Sequence, residues 1–187
     1  SYISGLAMNE IMQRNSKNPS QGAYRGYFNL VDSGKEESQT LYADHYLYNR
    51  GYGVSAYSKG SIFLAQLGYV IGEENLEKTI IKYFEDFKFK HPTPNDIMRT
   101  AEKVSGIQLD WYLNNWTKTT HTIDYGVRVI VNKKITLERK GRMPMPIDVS
   151  VEYTDGSKEE FYIPLRMMLG KKPTTATVSA NTQVLYQ

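Results

Sequence analysis

The apolar residues of this chain change their spacing near Thr122, and that change removes most folds from consideration. Up to about residue 120 they recur every three or four positions, the period of an amphipathic helix; beyond it they alternate with polar residues, the period of a half-buried strand. Leu6, Ile11 and Met12 fit one short helix, and Tyr24, Phe28 and Val31 a second, with Ser20 as its N-cap. Ile62, Phe63, Gln66, Leu67, Val70 and Ile71 mark a third that Gly72 ends. Glu73 and Glu74 then stand where negative charge favours a helix N-terminus, ahead of Leu76, Ile80, Ile81, Phe84 and Phe87. In Thr93-Pro94-Asn95-Asp96 the threonine can cap, proline fits the first helical position, and Asp96 can bond back to the cap. Ile97, Met98, Ala101 and Val104 form the buried stripe of that helix and Gly106 its stop, before Leu109, Trp111, Tyr112, Leu113 and Trp116 close the series.

In the second part, Tyr125, Val127, Val129 and Val131 are expected on one face of a strand, followed by Ile135 and Leu137 on the next. Ile147, Val149, Val151 and Tyr153 run into Asp155-Gly156, a hairpin turn, before Phe161, Ile163 and Leu165. Ala176 with Val178, and Val184 with Tyr186, suggest two more strands. Met143-Pro144-Met145-Pro146 reads as the lead-in to an edge strand, because proline removes ladder donors. The expected fold is α+β by segregation: a multi-helix subdomain over about 1–122 and a small Ig-like β-sandwich over about 123–187. The sandwich runs to Gln187 without a polar tail and is expected to be truncated or completed by residues outside this sequence.

A length of 187 residues allows one large domain or two small ones. There is no apolar stretch of membrane-spanning length. The net charge of +3 is too small to indicate a nucleic-acid or membrane partner, and it belongs entirely to the second part: residues 1–122 carry 13 Lys+Arg against 13 Asp+Glu, residues 123–187 carry 10 against 7. The absence of cysteine excludes disulfides, thiolate metal sites and cysteine nucleophiles. Histidine occurs three times, as His45, His91 and His121. These are too far apart to form the i, i+4 zinc pair of an HExxH helix.

Against that background stands Tyr52 to Gly60, YGVSAYSKG, followed at once by the apolar run SIFLAQLGYVIG. A Tyr-x-Lys-Gly ahead of such a helix, with a second tyrosine five residues upstream, resembles the M1-type zinc aminopeptidases, the gluzincin peptidases that include leukotriene A4 hydrolase and aminopeptidase N. Gly72-Glu73-Glu74, the aromatic helix ending KYFEDFKFK, Thr93 to Asp96 and LDWYLNNWT continue the resemblance in the same order, over about the first two thirds of the chain. It implies that the helical part is the C-terminal portion of a thermolysin-like catalytic domain, beginning just after the glutamate that is the third zinc ligand. It implies Zn²⁺ in the parent enzyme, with ligands outside this sequence and none expected here.

In the same resemblance Tyr57 is the catalytic phenol that stabilises the oxyanion of the tetrahedral intermediate from a helix start. Taken from the short motif alone, Tyr57 reads first as an amphipathic tyrosine at a helix entrance, with its ring in the core and its hydroxyl wet; the ordered series after it turns the reading to the phenol. Tyr52 matches the upstream tyrosine as a substrate-binding group; otherwise it is a loop tyrosine between Gly51 and Gly53, in a segment that needs unusual backbone angles. Lys59 is expected to pin the helix start or a nearby carboxylate. The three histidines read as solvated or capping residues.

The function implied is removal of N-terminal residues from peptides, with this chain giving one wall of the cleft and the phenol. By itself it is expected to be inactive. Its expected partners are the peptide N-terminus and the N-terminal portion of the same parent protein, with self-association through the face that portion would cover. Two alternatives stay open: a noncatalytic peptidase-like scaffold, and a helical plus β-sandwich interaction module.

Overall fold

Helix limits in the first half fall where local chemistry puts them. The computed structural model describes residues 1–12, 16–131, 134–153, 155–167 and 176–179, and contacts divide the chain into two units, Ser1–Thr120 and His121–Gln187. The first unit holds α1 (Tyr2–Ile11), α2 (Gln21–Asp32), α3 (Asn49–Gly53), α4 (Gly60–Ile71), α5 (Glu73–Phe87), α6 (Pro94–Ser105) and α7 (Asp110–Lys118). Gly72 at φ 90° ends α4 and Gly106 at φ 72° ends α6, conformations that residues with a Cβ resist. At the start of α6 the Asp96 carboxylate accepts from both the backbone N–H and the hydroxyl of Thr93, at 2.7 and 2.8 Å. Two bonds to the charged form hold the Asp96 carboxyl below its ordinary range.

The core of this unit is built from Leu30 of α2, Ile62, Leu67 and Ile71 of α4, Leu76 of α5, Met98 and Ala101 of α6, and Leu109 with Tyr112, Leu113 and Trp116 at α7. Phe63, Tyr112 and Trp116 form an aromatic cluster with centroids 5.1–6.3 Å apart, and the buried Tyr112 hydroxyl donates to the Phe63 carbonyl at 2.6 Å. The first two helices of the unit leave apolar residues in solvent. In α1 Leu6, Ile11 and Met12 are exposed and only Tyr2 is buried, while in α2 Phe28 is exposed and Tyr27 with Leu30 turns inward. Ser20 precedes α2, but its side chain makes no capping bond.

In the second unit, β1 (Tyr125–Val131), β2 (Lys134–Arg139) and β5 (Ala176–Ser179) make an antiparallel sheet in the order β1-β2-β5, and β3 (Ile147–Glu152) pairs antiparallel with β4 (Lys158–Ile163). The fold class is α+β, with the strands in small sheets. Ile135, Leu137, Val151, Tyr153 and Ile163 from both sheets share one core, with Tyr125 and Ile130 packed against it. The β3–β4 turn forms at Asp155-Gly156 with Gly156 at φ 83°, as the sequence pattern predicts.

The alternation expected for β1 does not hold along its length. A register shift between Val127 and Val129 moves the parity by one, so Ile130 pairs with Ile135 on the core side and Val131 is exposed. Met143 to Pro146 leads into β3 but is itself buried, and the Tyr125 hydroxyl holds it by accepting from the Met145 N–H at 2.7 Å and donating to its carbonyl at 3.0 Å. The strand expected at Val184 and Tyr186 lies outside the described residues.

Candidate active site

Tyr57 is not at a helix start. Residues Asn49 to Ile71 run as one helical stretch in which Val54–Lys59 is π-helical between α3 and α4. Gly51 and Gly53, expected in strained loop angles, are ordinary helical residues, and Gly53 has φ −60°. Tyr52 therefore sits on α3 rather than in a loop. The helix begins about three turns earlier than the Gly60 boundary that the apolar run marks, because polar and small residues at 49–60 carry no apolar period. A π-turn inside an α-helix bonds i to i+5 and accommodates one extra residue per turn. Tyr57 and Lys59, two residues apart on this turn, lie on nearly opposite faces of the helix.

Those two faces meet opposite environments. Tyr57 is 63% exposed and Lys59 1% exposed. Tyr57 lines an open cavity of about 250 Å³, with Tyr2 and Gly5 of α1, Ser20 and Ala23 at the start of α2, and Ser58 and Ser61 beside it. Close approach of α2 to the π-turn depends on Gly26, whose missing side chain would stand 3.3 Å from the Ser58 hydroxyl. Among the described residues, no Asp, Glu, Lys, Arg or His lines the cavity. Its described walls offer neutral hydroxyl donors and no side chain of general-base type. Burial, followed by the charge of Glu73, pushes the Tyr2 phenol up, which keeps that group protonated.

On the other face the Lys59 ammonium donates to Glu36 Oε1 at 2.7 Å and to the Thr119 carbonyl at 3.3 Å, and lies 5.8 Å from the centre of the Tyr27 ring. Both side chains of the pair are almost fully buried. Burial first, then the Glu36 charge, drives the pKa of the Tyr27 phenol far upward. Sequence reasoning left the carboxylate partner of Lys59 unnamed. Glu36 stands 23 residues away in a segment with no regular period, and no spacing rule connects the two.

Tyr52 is not among the walls of the Tyr57 cavity. It packs edge-on against Tyr46, with centroids 5.5 Å apart, and is 36% exposed. Tyr46 in turn donates to the Ser38 carbonyl at 2.9 Å, so this second tyrosine is seated on a fixed neighbour. His45, in the short turn Ala43–His45, is exposed with its ring edge-on to Tyr42, and His91 is exposed ahead of Pro92. Among the described residues no three His, Cys, Asp or Glu side chains stand close enough to hold a metal ion. The described residues therefore do not fit a zinc site of their own.

Residues 29–116 match the family model described as the peptidase family M1 domain. This stretch belongs to peptidase family M1. The M1 segment contains Tyr52, Tyr57, Lys59 and Glu36, and it ends at Trp116 in α7. Among solved structures, Legionella pneumophila aminopeptidase A, crystallised in complex with aspartic acid, superposes with a TM-score of 0.51 at 14% identity. The match covers 83% of this chain and 19% of that one, so the chain spans about a fifth of the length of the aminopeptidase it resembles. At that identity the likeness concerns the fold. No curated protein matches the sequence.

Proposed function

We propose that the helical unit forms one wall of the substrate cleft of a zinc-dependent aminopeptidase, and that Tyr57 donates the hydrogen bond that stabilises the oxyanion of the tetrahedral intermediate. The observation that carries this reading is the placement of the Tyr57 phenol. It is exposed over a cavity whose described lining carries no charged side chain, inside the M1 segment, on a helix anchored from behind by a buried ion pair. A neutral donor held in place before the reaction stabilises negative charge as it develops and needs little reorganisation. Zn²⁺, when bound by residues outside this sequence, supplies Lewis-acid chemistry in such an enzyme; this chain supplies position, shape and the phenol.

Tyr52 is a supporting, substrate-facing group in this proposal. In an α-helix five residues turn about 140°, and the i to i+5 bonding of the π-turn narrows that divergence between Tyr52 and Tyr57. The peptide N-terminus is the substrate, and the N-terminal portion of the same parent protein is the partner that completes the cleft. The exposed apolar residues of α1 and α5, Ile3, Leu6, Ile81 and Phe84, support a covering partner there. Self-association is the alternative use of that face. No helix among the described residues is long and apolar enough to cross a membrane.

The test is Tyr57→Phe in the longer protein that carries the zinc ligands. The change removes one hydroxyl and almost no volume, from an exposed position. Loss of one oxyanion donor should lower kcat by roughly 10²–10³, about 2.7–4 kcal/mol, with a smaller change in KM. Tyr52→Phe should cost less. A Tyr57→Phe enzyme within a few-fold of the parent kcat on an aminoacyl substrate would return Tyr57 to a surface residue of the helix.

A further inference from the structure

Resting on that reading of Tyr57, we infer that Glu36 is a positioning residue for the phenol: with Lys59 it holds the π-turn that sets where Tyr57 points. Three observations meet here. The pair is buried on the back of Val54–Lys59, two residues from Tyr57, while Tyr57 is exposed on the front. The Lys59 ammonium donates to two groups, the Glu36 carboxylate and the Thr119 carbonyl, and lies near the Tyr27 ring of α2, so this end of the turn is tied to the chain just after α2 and just after α7. The turn itself is an irregularity that relaxes to ordinary α-helix unless its surroundings oppose the change.

The geometry says how they oppose it. Converting the π-turn to α-helix removes one residue from the turn and rotates Lys59 about the axis by roughly 100°. That rotation would take the ammonium away from Glu36 and leave a buried carboxylate with one donor fewer. A buried ion pair adds little net stability over an apolar pair of the same size, yet losing one member is strongly unfavourable. Such a pair discriminates between registers more than it stabilises the fold. The register it selects is the one that presents Tyr57 to the cavity.

Glu36→Gln keeps the volume and an acceptor oxygen and removes the charge. In the intact protein it should lower kcat on an aminoacyl substrate by about 10–100-fold with KM nearly unchanged, as expected for a misplaced catalytic group. It should also speed amide hydrogen exchange across residues 54–59. Added to Tyr57→Phe, it should lower kcat by less than about twofold more, because the group it positions is gone. An equal loss in both backgrounds, or a wild-type kcat within about twofold, overturns the inference. If Glu36→Gln folds poorly, Glu36→Leu with Lys59→Met removes both charges together. Restored stability with exchange across 54–59 still fast supports the assignment; restored stability with native exchange and native kcat overturns it. Tyr57→Phe alone, by leaving kcat unchanged, would sink the underlying reading, and the exchange measurement would still decide whether Glu36 holds the turn.

Discussion

Replacing Gly141 by alanine should open the base of the β1–β2 hairpin, because the position has backbone on the side where a methyl would go. A Cβ built there stands 2.2 Å from the Thr122 carbonyl oxygen and 2.7 Å from the Asp124 nitrogen. Real Cβ contacts essentially never fall under 3.0 Å, so the two backbone segments would have to separate by at least 0.8 Å (3.0 less 2.2). Three hydrogen bonds span that junction: Lys140 N–H and Gly141 N–H to the Asp124 carbonyl at 2.8 and 2.9 Å, and Met143 N–H to the Thr122 carbonyl at 3.1 Å. Lengthened by that amount, each passes the distance at which a hydrogen bond is lost. At about 1 kcal/mol net per bond, Gly141→Ala should destabilise the second unit by about 3 kcal/mol. For a domain of this size that is a fall in Tm of roughly 12–24 °C. Thermal unfolding followed by circular dichroism or calorimetry reads it directly. Gly126→Ala in the same hairpin is the internal control, since the nearest atoms there are the flexible end of Lys140, at 3.0–3.1 Å. It should cost less than about 1 kcal/mol. A Gly141→Ala protein whose Tm matched that of Gly126→Ala would refute the steric argument.

Tyr125→Phe should destabilise the second unit by about 1–3 kcal/mol in urea titration, because it removes the partner of both the N–H and the carbonyl of the buried Met145. High pH should unfold the helical unit. The Tyr27 and Tyr112 phenols are pushed up, chiefly by burial, so the folded state holds their protons more tightly than the unfolded state does. Below the ordinary phenol value of 10.0 both states are protonated and stability is unaffected; above it only the unfolded chain releases the proton, and stability falls as pH rises. Phenolate absorbance recorded beside helix content should show these two rings ionising only as the helices melt. Complete tyrosine ionisation with helix content intact would contradict the burial argument.

What could be read from the sequence was whatever a few neighbouring residues decide among themselves. Thr93 to Asp96 closes its own cap, Gly72 and Gly106 stop helices because they accept positive φ, and Asp155-Gly156 turns a hairpin between two alternating runs. The change of period near Thr122 separated helices from strands for the same reason, and Tyr-x-Lys-Gly with the ordered motifs after it marked the M1 segment. What depended on distant partners was not legible. The period places Leu6, Ile11 and Met12 on one helix, yet a period shows which residues share a face and not whether another element covers it. The bulge in β1 reversed the inward residues after Val127, because pairing with β2 rather than local alternation sets its parity. Residues 49–59 carry no apolar period, so the π-turn and the helical setting of Tyr52 and Tyr57 appear only once α2 packs against them. The Glu36–Lys59 pair is the clearest case: its bond joins residues 23 apart in sequence, and only burial between α2 and the π-turn gives two ordinary surface residue types a reason to meet.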